Sequence, residues 1–242
     1  MRIGLISDIH GNLLALRAVL ADLERTGVEE IVCLGDLASL GPCPRRTLAL
    51  LRERNIACIQ GNHDEFLLEP ALAEQYSSQP MITKATLWCR QRLGRDALDF
   101  LAGLPAGLQL PLGAAGKLLL FHGSPGSNQE DILAATPPED LDAMLEGQAA
   151  QVFAGGHTHI QMLRQHKGRL MVNPGSVGIP FLEFAQGGRP RILPHAEYAV
   201  ISANGGGVEV SLRRLALDKA ELRRQAEASD LPLRDVLLGE YS

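Results

Sequence analysis

The residue order predicts an α/β fold, and it fits two mixed sheets packed face to face with helices outside. Three observations carry that prediction. Short aliphatic runs alternate with helical patterns from Ile3 to Ile59, the order of a parallel β-α-β-α-β unit. Five such runs along the chain break off into a histidine, aspartate or asparagine beside glycine. The part of the chain after His159 then turns to paired strand-like runs around glycine turns.

Taken in order, Ile3 to Ile6 is the first buried strand. Asn12 is placed to cap a helix whose Leu13, Leu16, Leu20 and Leu23 recur at helical spacing, and Gly27 stops it. Strand Ile31 to Leu34, the loop Gly35 to Cys43 and a helix opened by Pro44 follow. Strand Ile56 to Ile59 completes the unit, with right-handed crossovers expected. Phe66 to Leu101 reads as helical with a break near Pro80, and Leu87, Trp88, Leu98 and Leu101 are expected to face the core. Leu108 to Leu112 and Leu118 to Phe121 form a strand pair around Gly113 to Gly116. A short helix near Leu141 to Leu145 precedes strand Gln151 to Ala154. Gln161 to Gln165 and Arg169 to Val172 flank Lys167-Gly168, and Tyr198 to Ser202 and Val208 to Leu212 flank Asn204-Gly205. Lys219 to Ala228 reads as a charged helix with a solvated face. With no repeat, low-complexity tract or linker, residues 1–242 are expected to form a single domain.

Composition narrows the function. The chain is 45% hydrophobic and 21% charged, as in ordinary globular proteins, and its formal net charge of −5 argues against binding a nucleic-acid duplex. An anionic substrate stays open, because a metal centre brings its own positive charge. Cys33, Cys43, Cys58 and Cys89 form no C-x-x-C pair and read as small core residues in a reducing compartment. The first strand meets Asp8 too early for a signal-peptide core, and no run reaches the length of a membrane span. A cytoplasmic protein is expected.

The polar clusters are Asp8-Ile9-His10-Gly11-Asn12, Gly35-Asp36, Gly61-Asn62-His63-Asp64, His122-Gly123 and Gly155-Gly156-His157-Thr158-His159. If their strands share one sheet, all five emerge at the same strand ends, where ligands gather in open α/β sheets. Imidazole and carboxylate without thiolate is the donor set of hydrolytic transition-metal sites. One cluster alone would mean little, since a single histidine at a strand end is more often structural. Five in order are specific. His166 and His195 match no cluster and read as structural histidines, and Asn173-Pro174-Gly175-Ser176 reads as a turn or an outer support of the site.

The succession D-x-H, G-D, G-N-H-[DE], a lone H and G-H-x-H, each after a strand, resembles the calcineurin-type metallophosphoesterase superfamily. The likeness is greatest to its small bacterial and archaeal phosphodiesterases. The resemblance implies a four-layer α-β-β-α sandwich of two mixed sheets flanked by helices. It assigns one divalent ion to Asp8, His10, Asp36 and His159 and a second to Asp36, Asn62, His122 and His157, with Asp36 bridging. Manganese, iron, zinc, cobalt and nickel all suit such donors. It implies hydrolysis of small phosphodiesters or phosphomonoesters, nucleotides among them, by hydroxide attack on phosphorus. His63 would stand near the leaving group as general acid or electrostatic stabiliser, with Asp64 accepting its second N–H. In some of these phosphodiesterases cysteine stands at the position of His63 and diesters are favoured, so His63 keeps monoesters in view. The alternative is a non-catalytic scaffold, or a slow nucleotide- or metal-binding module, on the same fold.

Two departures matter. After Gly35-Asp36 the chain reads Leu37-Ala38-Ser39-Leu40-Gly41, whereas phosphoprotein phosphatases and symmetrical dinucleoside tetraphosphatases carry G-D-x-V-D-R-G, so those substrate classes recede. Ile179 to Pro194 carries Phe181, Glu183, Phe184, Arg189 and Arg191 where such proteins have a short polar segment. The alternating arginines would share one face of an extended segment and grip a non-reacting phosphate at the cleft. The rival role is a contact between copies in a homo-oligomer.

Overall fold

The computed structural model describes residues 1–185 and 188–242; Gln186 and Gly187, inside the Ile179–Pro194 segment, lie outside the described residues. Its elements in chain order begin β1 (Arg2–Ile6), α1 (Leu13–Thr26), β2 (Glu30–Cys33), α2 (Pro44–Glu53) and β3 (Ala57–Cys58). Four helices follow: α3 (Asn62–Leu68), α4 (Ala71–Tyr76), α5 (Pro80–Arg92) and α6 (Arg95–Ala102). Then come β4 (Leu108–Pro111), β5 (Lys117–Leu120), α7 (Pro138–Met144), β6 (Val152–Ala154), β7 (Met162–His166) and β8 (Arg169–Asn173). The long strands β9 (His195–Asn204) and β10 (Gly207–Ala216) precede α8 (Lys219–Glu227) and α9 (Arg234–Glu240).

Local chemistry sets these boundaries. The Asn12 side chain accepts the Ala15 N–H at 3.1 Å to start α1, and Gly27 ends it at φ 67°, ψ 42°. The buried stripe of α1 is Leu13, Leu16, Val19, Leu20 and Leu23, each contributing roughly 1.5–3 kcal/mol by leaving water. Gly205 and Gly206, both at positive φ, make the two-residue turn between β9 and β10.

Two five-stranded mixed sheets result, ordered β10-β9-β1-β2-β3 and β4-β5-β6-β8-β7. In the first, β1 pairs parallel with β2 and β2 with β3; in the second, β6 pairs parallel with β5 and with β8. Ile3, Leu5, Val32, Leu34 and Ile59 of one sheet pack against Leu118, Leu120, Val152 and Ala154 of the other. Leu16, Leu23, Leu48, Leu51 and Cys89 fill the helical side of the first sheet. Phe153, Met171 and Leu141 fill the outer side of the second. Helix, sheet, sheet, helix is the expected order of layers.

The helical stretch departs from expectation in detail. It breaks at Pro70 and at Leu93-Gly94 as well as before Pro80, because proline has no N–H to give and Leu93 adopts extended backbone. Leu101 is buried and Leu98 half-buried, but Leu87 is exposed. Trp88 is only half-buried, with the Arg92 guanidinium 3.6 Å above its ring. Helix α9 was not expected at all. Among the described residues, no helix is long and apolar enough to cross a membrane.

Candidate metal centre

The C-terminal ends of β1, β2, β3, β5 and β6 all open toward one cleft, and each delivers one of the five clusters. Ladder-like bonds continue past the strands: the Asp8 amide donates to Gly35 at 3.0 Å, that of His10 to Asp36 at 2.9 Å, and that of Gly156 to His122 at 2.8 Å. Asp8, His10, Asp36, His157 and His159 all sit at positive φ, between 46° and 67°. Such backbone is rare outside glycine and marks a sharp turn inward at each strand end. Side chains are excluded where these turns meet. A Cβ on Gly61 would fall 2.1 Å from Asp36 Oδ1, and one on Gly156 1.9 Å from Ser7 Oγ.

One atom from each of Asp8, His10, Asp36 and His159 lies within 4.8 Å of the others, all four residues buried. His10 Nε2 and His159 Nε2 are 3.1 Å apart, and His159 Nε2 is 3.3 Å from Asp8 Oδ1. Beside them, Asn62 Oδ1 lies 3.0 Å from His122 Nε2 and 3.2 Å from His157 Nδ1. The two groups meet at Asp36, whose Oδ2 is 3.5 Å from His10 Nε2 and whose Oδ1 is 3.5 Å from His122 Nε2.

The far nitrogens are already engaged. Nδ1–H of His122 donates to the Leu34 carbonyl at 2.6 Å, and that of His159 to Ile179 at 2.8 Å. His10 Nδ1 lies 3.0 Å from Ser39 Oγ. These contacts hold each ring with Nε2 turned inward, as ligating histidines require. His157 is reversed, with Nδ1 toward Asn62 and Nε2 3.5 Å from the exposed Asp131 carboxylate.

Ionisation follows from crowding. Burial pushes the His10 imidazole down to about 3, and burial with the His122 charge pushes His157 to about 4. Burial also lowers His63. These three rings are therefore neutral at pH 7 and offer a lone pair. Burial opposes ionisation of Asp36, yet the charges of His122 and His63 hold its carboxyl well below the usual range. His122 is driven the other way, burial being outweighed by the Asp36 carboxylate, up to about 10.

A divalent cation fits this donor set. Asp8 Oδ1 is buried without a hydrogen-bond partner, and the imidazole nitrogens of His10 and His159 face each other with no room for a second proton. A cation among Asp8, His10, Asp36 and His159 would satisfy the orphaned oxygen and the facing lone pairs together.

Other expected site residues fall less simply. His63 lines the cleft with its ring 5.2 Å from that of His10, and its Nδ1 meets no partner. Asp64 does not touch it, which corrects the orienting role expected for that carboxylate. Instead Asp64 accepts the N–H groups of Asp36 at 2.8 Å, Leu37 at 2.9 Å and Gly61 at 3.0 Å. Burial and the Asp36 charge push its carboxyl up to about 7, against the pull of those amides. It ties the end of β2 to the start of α3. The two arginines are also separated, contrary to expectation. Arg189 lines the cleft but donates to the Glu240 carboxylate at 3.0 Å and the Val236 carbonyl at 3.3 Å. Arg191 is exposed and away from the lining, where Phe181 bridges Ile192 and the Leu182 amide donates to the Arg191 carbonyl.

The loop Asn173-Pro174-Gly175-Ser176 proves to be a support of the site. Asn173 Nδ2 donates to the Gly156 carbonyl at 2.6 Å and to Thr158 Oγ1 at 3.0 Å. Ser176 Oγ donates to the Asp8 carbonyl at 2.7 Å. Sequence reading missed Asp131, Ser39 and Tyr76, the last lining the cleft with its ring 6.1 Å from that of His63, because no spacing gave a signal for them. His166 and His195 are structural, paired with Asp142 at 2.8 Å and Glu197 at 3.0 Å.

Two facing sheets whose strand ends converge on a buried Asp/His cluster define a metal-binding hydrolase-like class, and comparison specifies it. Residues 1–192 match the calcineurin-like phosphoesterase superfamily domain, so the chain belongs to that superfamily. It is 31% identical over 194 residues to an uncharacterized protein of Methanocaldococcus jannaschii, covering 74% of this chain and 76% of that one. It is 26% identical over 217 residues to the phosphodiesterase YfcE of Escherichia coli, covering 84% and 93%. The crystal structure of a metallophosphoesterase from Sphaerobacter thermophilus superposes with a TM-score of 0.76 at 26% identity, over 100% of this chain and 98% of that one.

Proposed function

We propose that the chain is a phosphoesterase using two divalent transition-metal ions to hydrolyse small phosphodiesters or phosphomonoesters. The observation that carries this is Asp36, whose two oxygens stand 3.5 Å from His10 Nε2 and from His122 Nε2, one toward each half of the cluster. Asp8, His10, Asp36 and His159 would hold one ion and Asp36, Asn62, His122 and His157 the other. A carboxylate is the ligand with two equivalent anionic oxygens, which suits Asp36 to the shared position.

Bound divalent ions would supply Lewis acidity and a water of lowered pKa. The side chains do the rest. Asp8 and Asp36 are the two charged ligands, so they leave two divalent charges only half neutralised and the floor of the cleft attractive to phosphate. His63 faces the cleft without a partner at Nδ1; its imidazolium form, which burial makes scarce at pH 7, is the one able to protonate the departing ester oxygen. Phe181 stacks on His159, ring centroids 4.3 Å apart, and keeps bulk water from that side.

The deciding experiment is reconstitution with each candidate metal, followed by turnover of p-nitrophenyl phosphate, its bis ester and cyclic nucleotides. Close to two ions per chain and metal-dependent release of product are expected. Asp36→Asn should lower occupancy of both positions. A stoichiometry of one ion, or no turnover of any ester, would sink the reading.

A further inference from the structure

We infer that the cleft above the metal cluster binds one apolar organic group of the substrate. The ester it accepts then carries a hydrocarbon or uncharged ring and no second phosphate. This rests on the phosphoesterase reading of the cleft floor and adds the substrate class to it.

The cleft encloses about 720 Å³, room for far more than a phosphate and its metal ligands. Its floor is polar, formed by His10, Asp36, His63, His157 and His159. Its walls are mostly apolar, interrupted by Ser77, Ser78 and Gln79 before α5, and their apolar residues come from three separate parts of the chain. Met81 and Ile82 stand on α5, Phe181 and Phe184 in the segment between β8 and β9, and Leu233 and Val236 at the start of α9. Met81 is 36% exposed, and Phe181 is stacked directly on His159, so apolar surface begins where the metal ligands end. A contiguous apolar wall of this kind marks a binding surface when it adjoins a reactive site.

Charge points the same way. Among the described residues lining the cleft, Arg189 is the sole Lys or Arg, and its guanidinium is already bonded to Glu240 and the Val236 carbonyl. Asp131 adds a negative charge at the rim. A second phosphate would meet a paired arginine and a carboxylate, whereas an alkyl or aryl group would cover the walls. Leu233 and Val236 also stand beyond residue 192, where the match to the superfamily domain ends, so this one of the three parts of the wall belongs to the C-terminal helical region.

The test is calorimetric titration of the metal-reconstituted protein with methylphosphonate, hexylphosphonate and 5-carboxypentylphosphonate, none of them hydrolysable. Each buried methylene is worth up to about fourfold in affinity. Hexylphosphonate should bind at least about tenfold more tightly than methylphosphonate, and the charged terminus of the third should erase that gain. Val236→Ser, which adds no charge, should cut the preference for hexylphosphonate over methylphosphonate several-fold; Phe184→Ser, on another part of the wall, gives the same reading should the first variant fail to fold. In parallel, hexyl p-nitrophenyl phosphate should show a lower KM than the methyl ester at similar kcat. Equal affinity for methyl- and hexylphosphonate, or tighter binding of the carboxylate, overturns the inference. A hexyl preference without turnover of either ester sinks the phosphoesterase reading and leaves this one standing, and turnover with no preference does the reverse.

Discussion

At the scale of single residues, His63 and Asp64 show what adjacency in sequence hides. Both open α3, and successive side chains on a helix point about 100° apart, so they cannot serve one another. His63 faces the cleft while Asp64 turns back to three amides at the ends of β2 and β3. The seven side chains from Asp8 to His159 that the fold gathers were legible because each belongs to a cluster that follows an aliphatic run and contains glycine, a signal that survives without coordinates. Asp131 carried no such mark; only the folded loop brings it to His157. Replacing His63 by alanine should cut turnover by roughly 10²–10⁴, the usual worth of a general acid, with metal content unchanged. The loss should shrink for nitrophenolate, which leaves without a proton. Equal losses on good and poor leaving groups would rule out proton donation.

Elements decide how firmly the donors are held. The loop after β8 braces two of the five strand ends, Asn173 on the Gly156–Thr158 turn and Ser176 on the Asp8 carbonyl. Asn173→Ala should therefore weaken metal binding by about 10–100-fold, the usual cost of losing an outer support, without removing any ligand. Metal titration of the folded variant checks it; unchanged affinity would reduce the loop to a plain turn. The strands and the long helices were legible from period and caps. Helix α9 was not, because its seven residues have no side-chain cap and its leucines read as a tail until packed against the cleft. The apolar wall is likewise a tertiary fact. Met81, Phe184 and Val236 are far apart in the chain, and no local pattern announces that they meet.

For the whole molecule, the metal cluster is a seam. His122 Nδ1 binds Leu34 across the two sheets, and the His157 amide donates to Asp8 Oδ2 at 3.1 Å, so the site joins both sheets as well as facing the cleft. Ions bound there stabilise the folded state alone, by about 2.7 kcal/mol per site at a hundredfold excess over Kd. For a chain of this size that is roughly a 10–20 °C rise in Tm with both positions filled. Scanning calorimetry with and without chelator measures it. A melting temperature indifferent to chelation would mean that the seam holds without ions.

The left-handed backbone at Asp8, His10, Asp36, His157 and His159 has a consequence for how such a protein changes over generations. Each of these residues costs about 1–2 kcal/mol that glycine would not incur. Glycine at any of these positions would relieve that strain but give up the buried side chain's contacts, among them the N–H groups that Asp8 and Asp36 accept from His157 and His63. The chain thus keeps strained backbone at five of the seven gathered side chains, which any drift away from this chemistry would be free to relax.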